Sequence, residues 1–219
     1  LGVTIALGIV VGSAALVLFG APVRKPGAGV LEDALTRMGL RVDGLAPVAG
    51  RAGRTFGGTL PDGREVRIEV VGRDERDEDL LFRAWRLIRV KGIADESPGW
   101  SPLRQAQHEA FVTLLARDVG VTVPRVLGVA EAADRETVMA YEAVHGRSLA
   151  RTAEEDGDEA ITDELLRSVW QQVAVLQDHR LAHRQLDAHH VLVGADGPIL
   201  VDLDAGQVSA EDHQLAADV

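Results

Sequence analysis

Between residues 30 and 38 the apolar side chains Val30, Leu31, Ala34, Leu35 and Met38 recur at the spacing of one helix face, and Gly39 supplies a stop. Alternating and apolar runs over 45–48, 54–60 and 66–71 follow, with the turn Leu60-Pro61-Asp62-Gly63 between the last two. They predict three antiparallel strands. A charged segment over 77–90 carries Leu80, Leu81, Ala84, Trp85 and Ile88 along one helical face. Beyond a loop marked by Pro98, Gly99 and Pro102, a second helix is predicted over 103–117. The runs 125–131 and 137–143 read as two strands joined by a turn at Ala133-Asp134. The longest predicted helix covers 163–180, with Leu165, Leu166, Val169, Trp170, Val173 and Leu176 as its buried stripe. Two short strands, 190–193 and 199–201, flank the turn Ala195-Asp196-Gly197. No internal repeat interrupts this order.

Residues 1–23 contain no charge and are rich in Leu, Val, Ile, Ala and Gly. That length suits a membrane-spanning helix; a signal-peptide core is shorter and needs a basic start and a small-residue cleavage site. Arg24 and Lys25 follow at once, which by the positive-inside tendency sets the remainder on the cytoplasmic side of a cell membrane. The expected division is a transmembrane helix over 1–23, a juxtamembrane segment with a short helix over 24–44, and a globular part from residue 45.

Composition narrows the chemistry. With 219 residues and 46% hydrophobic content the chain can build one globular domain plus an appendage. It has no cysteine, hence no disulfide framework, thiolate metal site or cysteine nucleophile. The net charge of −11 argues against a nucleic-acid partner, which needs a basic stripe. Lys25 and Lys91 are the only lysines, so any step requiring one has two candidates.

The segment His183-Arg184-Gln185-Leu186-Asp187-Ala188-His189-His190-Val191-Leu192-Val193, followed by Ile199-Leu200-Val201-Asp202-Leu203-Asp204, resembles the catalytic loop, strand and metal-binding motif of the protein-kinase-like superfamily. The resemblance extends from about residue 45 onward. With the apolar run in front and the charged stretch after Gly72, it is similar to the kinase-like region of bacterial membrane proteins that carry a lysylphosphatidylglycerol-synthase-type, flippase-like transmembrane region. It implies an α+β, two-lobed fold: a small antiparallel sheet lobe with a helical insertion over 45–144, and a mainly helical lobe, incomplete, over 145–219.

The resemblance also implies that the catalytic residues have been replaced. The third-strand lysine that neutralises nucleotide phosphates falls on Glu69. The catalytic base falls on Gln185, whose amide cannot take a proton near neutral pH. The metal-binding asparagine falls on His190, a poor magnesium ligand, and the glycine of Asp-Phe-Gly on Asp204. Asp187 adds a further negative charge. Retained family positions are Glu109, which would pair with the missing lysine, His183 and Arg184, which brace the loop, and Asp202, a metal ligand only if nucleotide binds.

Gly50, Gly53 and Thr55 lie where a phosphate-covering loop belongs, and Glu142 and Val144 where interlobe backbone would meet an adenine. Glycine also marks hairpins, and Arg51 and Arg54 suit an anion contact as well as pairing with the abundant acids. Histidines 179, 183, 189 and 190 suggest a metal cluster only weakly, since neighbours on a strand face opposite ways. The resulting expectation is a degenerate kinase-like module, with no cofactor and at most weak ATP and magnesium binding. It would regulate or scaffold a membrane region of its own polypeptide, linked to phospholipid transport or modification, or engage a protein partner. The alternative is an active atypical phosphotransferase using ATP, with Lys91 or Lys25 as the phosphate cation and Asp187 as base.

Overall fold

In the computed structural model, which describes residues 28–48, 54–72, 100–132 and 136–218, the alternation along Glu65–Val71 divides the faces of a sheet. This strand, β3, buries Val66, Ile68 and Val70 on one side and turns Arg67 and Glu69 to the other, as a period of two requires. It is central in a five-stranded antiparallel sheet of order β1-β2-β3-β5-β4, whose other strands are β1 (Asp43–Pro47), β2 (Thr55–Thr59), β4 (Val126–Glu131) and β5 (Thr137–Glu142). Register places Thr55 and Met139 opposite Glu69, and Tyr141 opposite Arg67, so all share a face.

Each face of this sheet carries a helix. Helix α1 (Ala28–Arg37) presents Leu31, Ala34 and Leu35, which join Phe56, Leu60, Val66, Ile68, Val70, Val138 and Ala140 in one core. The chain leaves α1 through Gly39, whose φ of +74° favours glycine over residues bearing a Cβ. Across the sheet lies α2 (Pro102–Asp118), begun by Ser101, whose hydroxyl accepts the Arg104 amide at 3.3 Å, with Pro102 in the first turn. Ala106 and Ala110, one helical turn apart, let α2 approach Met139 and Tyr141 closely.

A second core lies beyond the sheet. Val112 and Ala116 of α2 meet Leu149 of α3 (Leu149–Asp156), Val169 and Leu176 of α4 (Asp163–Asp178), and Leu181, Val191, Leu200 and Leu203. Short strands frame it: β7 (Leu181–Ala182) pairs with β10 (Gln207–Val208), and β6 (Arg147–Ser148), β8 (Val191–Gly194) and β9 (Gly197–Leu200) form a small sheet. A 3-10 turn, Leu203–Ala205, packs on α2, and α5 (Asp212–Leu215) leads to a last turn, Ala216–Asp218.

Two expectations are corrected. The fold was expected to begin with a transmembrane helix, but among the described residues no helix is long and apolar enough to cross a membrane. The described fold is α+β, built on the five-stranded antiparallel sheet; residues 1–27, where that span was expected, lie outside the described residues. The stripe expected for α4 is narrower than its sequence suggests. Val169, Val173 and Leu176 are buried, whereas Leu166 is 37% and Trp170 48% exposed. Val169 and Leu176 enter the second core and Leu165 and Val175 pack against its edge, whereas Leu166 and Trp170 lie on the outer side of α4. The charged segment expected to be helical over 77–90 lies outside the described residues, as do Lys25 and Lys91.

Candidate functional site

Glu69 on β3 and Glu109 on α2 face the space between sheet and helix, and Asp202 and Asp204 approach the same space from the segment after β9. All three of these neighbours act on the ionisation of Glu109. Each carboxylate is held differently. Glu69, 18% exposed at its side chain, accepts Arg67 Nε at 2.9 Å. Glu109 accepts the phenol of Tyr141 at 2.5 Å, and among the described residues it pairs with no basic side chain. Asp204 accepts the amide of Ala205 at 2.9 Å, fixing the start of the 3-10 turn. Asp202 sits at φ 61°, a left-handed conformation that costs a non-glycine residue of order 1 kcal/mol and is held by the packing around it.

Burial, with charge crowding second, sets the protonation here. Burial in the cleft, reinforced by Asp204, pushes the Glu109 carboxyl up to about 8, against the Tyr141 hydrogen bond; Glu69 and Asp202 add to the rise. Burial likewise pushes the Tyr141 phenol far above its usual range, helped by the Glu109 charge. At neutral pH the pair is therefore a neutral carboxyl and a neutral phenol.

The loop over 183–190 is braced from below. His183 is fully buried, its Nε2 lies 2.9 Å from the Val201 carbonyl, and burial lowers its pKa. With that nitrogen protonated and donating, the ring is neutral. The amides of His183 and Arg184 donate to the two oxygens of Asp218 at 2.6 and 2.5 Å. Arg184 adopts φ 67° so that both amides point the same way. Gln185 is half-buried. Asp187 is exposed and serves the turn itself, accepting the His189 amide at 2.8 Å. His190 Nδ1 lies 2.8 Å from Asp187 but off the line a hydrogen bond needs, so the contact is electrostatic. Burial works to raise the Asp187 pKa; the His189 amide and the His190 ring outweigh it, and the carboxyl is held below its usual range.

Of the residues expected to face a nucleotide or an anion, Gly50, Gly53 and Arg51 lie outside the described residues. Thr55 is buried with its hydroxyl unpartnered, on the Glu69 face. Arg54 is 3% exposed and turned into the sheet, donating to the Val70 carbonyl and to Glu136 at 2.8 Å. Its guanidinium fills the space at Gly72, where a Cβ would come within 2.2 Å of it. The pairing alternative thus holds for Arg54. Glu142 takes Arg64 at 3.2 Å and Arg125 at 3.9 Å, while its amide and that of Ala143 donate to the carbonyls of Arg125 and Glu65. Val144 is half-buried.

Among the described residues no group of three or more His, Asp or Glu side chains is arranged to hold a metal ion. The rings of His183 and His190 stand 5.5 Å apart; His183 Nε2 holds the Val201 carbonyl, and His190 lies against Asp187. Sequence reasoning missed two functional side chains. Tyr141 was legible only as part of the interlobe segment, although it is the sole tyrosine. Asp218 carries no local signal, because its role is to satisfy amides more than thirty positions earlier in the chain. The chain matches no family model and no curated protein in sequence.

Proposed function

We propose that this chain is a catalytically degenerate kinase-like module that regulates or scaffolds another part of its polypeptide or a protein partner, without transferring phosphate. The observation that carries this reading is the pairing of positions 69 and 109. The resemblance assigns them a lysine and a glutamate, and both carry carboxyl groups, near enough that Glu69 raises the Glu109 pKa, as Asp202 and Asp204 do. A nucleotide phosphate beside Glu69 would meet repulsion. At about 4 Å and an effective dielectric near 20, one like-charge contact costs on the order of 4 kcal/mol, and the attraction of the absent lysine is forgone as well.

The loop supports the same reading. Gln185 offers no base, and Asp187, the alternative base, accepts the amide of His189 and lies against the ring of His190 within its own turn. Such a carboxylate is not aimed at a substrate hydroxyl, and geometry precedes pKa in choosing a base. Thermal denaturation of the full chain with millimolar ATP and magnesium tests the proposal. The melting temperature is expected to stay unchanged; a rise of several degrees that requires the metal overturns it.

A further inference from the structure

Two large apolar side chains of α2 point away from the rest of the fold. Phe111 is 53% and Leu114 49% exposed, and neither belongs to the cores described above. They are neighbours on a stripe that runs through Arg104, Gln107, Phe111, Leu114 and Asp118, every one of them exposed. The buried residues Ala106, Ala110, Thr113 and Ala116 lie on another side of the helix. A helix face built for water carries polar residues, and this one is apolar at its centre.

Residues 73–99, which lie outside the described residues, leave the sheet after Gly72 and rejoin the fold at Trp100. Both of these ends stand near the start of α2. β3 ends at Val71 opposite Thr137, whereas β5 leaves the other end of the sheet past Glu142, toward the second core. Val112 and Ala116, in the later half of α2, belong to that second core. The earlier half of α2 and the end of β3 therefore share the side away from it. Trp100 meets the stripe directly: its ring lies 5.1 Å from the ring of His108, and the guanidinium of Arg104 stands over it at 5.1 Å.

We propose that the outer face of α2 at Phe111 and Leu114 is the docking surface for the segment 77–90 of the same chain. The sequence of that segment sets Leu80, Leu81, Ala84, Trp85 and Ile88 along one face of a helix. Such a helix is about 21 Å long, the distance along α2 from Arg104 to Asp118. Residues 91–99 reach up to about 30 Å, enough to return to Trp100. Charge sets the direction. The segment opens with Asp77, Glu78 and Asp79 and closes with Arg86, Arg89 and Lys91, while the stripe has Arg104 at its start and Asp118 at its end. Running the same way as α2 brings acid to base at both ends, and it starts the segment where β3 stops. The exposed pair Leu166 and Trp170 belongs to α4, which packs on the second core, away from both ends of the segment. The docking holds whether or not a nucleotide binds.

Trypsin reads this out in the full chain, since the segment carries Arg83, Arg86, Arg89 and Lys91. Cleavage there is expected to be at least about tenfold slower than in a synthetic peptide of residues 73–99. Phe111→Asp with Leu114→Asp should bring the rate close to that of the peptide, whereas Leu166→Asp with Trp170→Asp should leave it slow. The chain has no cysteine, so engineered pairs test the contact without background. Ala84→Cys with Phe111→Cys, or Ile88→Cys with Leu114→Cys, should close a disulfide within one chain under mild oxidation. Wild-type cleavage as fast as the peptide's would show the face open to some other partner and overturns the proposal. So does protection that survives the Phe111 and Leu114 replacements, or that is lost with those on α4. Protection that vanishes on dilution, with disulfides between chains, assigns the face to a second copy instead. If the aspartate variant fails to fold, the disulfides decide, and the absence of both overturns the proposal.

Discussion

Asp218, in the last turn of the described chain, accepts the backbone amides of His183 and Arg184 with its two carboxylate oxygens, at 2.6 and 2.5 Å. The His183 amide is buried, and Arg184 holds a positive φ to present its own. Asp218→Ala leaves both donors without partners. Unsatisfied buried amides cost about 1–3 kcal/mol each, so a loss of roughly 2–4 kcal/mol is expected, read as a lower midpoint in urea at unchanged slope. An unchanged midpoint would mean that water replaces the carboxylate.

Tyr141 is the sole tyrosine, so the absorption of tyrosinate reports it alone. A free phenol ionises near pH 10, but burial and Glu109 hold this one well above that. No tyrosinate signal is expected in the folded protein at pH 10, and the signal should appear together with unfolding at higher pH. Because the folded-state pKa is raised, stability falls as pH rises above about 10. A half-complete titration at pH 10 in protein that is still folded would place the phenol in water.

Glu69→Lys sets an ammonium group opposite Glu109 and lowers the pKa of that carboxyl toward its free value. The variant should therefore gain stability relative to wild type as pH rises from about 5 to 8, by on the order of 1–2 kcal/mol for a shift of about one unit. Arg67, 39% exposed, can turn to solvent when its partner is removed. Phosphotransfer in a radiolabel assay should stay absent, since Gln185 and His190 are unchanged and such groups act as a unit. Clear transfer by this single variant would reveal a base among the remaining residues.

Arg54 threads its guanidinium between the Val70 carbonyl and Glu136 at 3% exposure. Breaking a buried pair strands the remaining charge, and Glu136 at 20% exposure regains only part of its water. Arg54→Ala is expected to cost about 3 kcal/mol in chemical denaturation. A cost under about 1 kcal/mol would show the site hydrated.

Much of the sheet was legible in the sequence because a half-buried strand must alternate, and Val66, Ile68 and Val70 do. Helix α1 was legible for the corresponding reason, its apolar stripe being one face wide. The two-residue strands β6, β7 and β10 were not, since nothing within two residues carries a period; their pairing is set by partners more than twenty positions away. Helix α3 was missed because it is charged over most of its surface and buries only Leu149 and Thr152. At the site, the resemblance identified Glu69, Glu109, Asp202 and Asp204 but not Tyr141, the group that meets Glu109. A side chain opposite Arg67 on a neighbouring strand becomes a partner only once register is known.

Helix α1 covers the side of the sheet turned away from the cleft. A protein trimmed to begin at Leu45 would expose Val66, Ile68, Val70, Val138 and Ala140 together as one apolar surface. Such a surface recruits other copies of the chain, so the trimmed protein would be recovered as aggregates. The ten residues of α1, brief as they are, decide whether the sheet can exist in water without self-association.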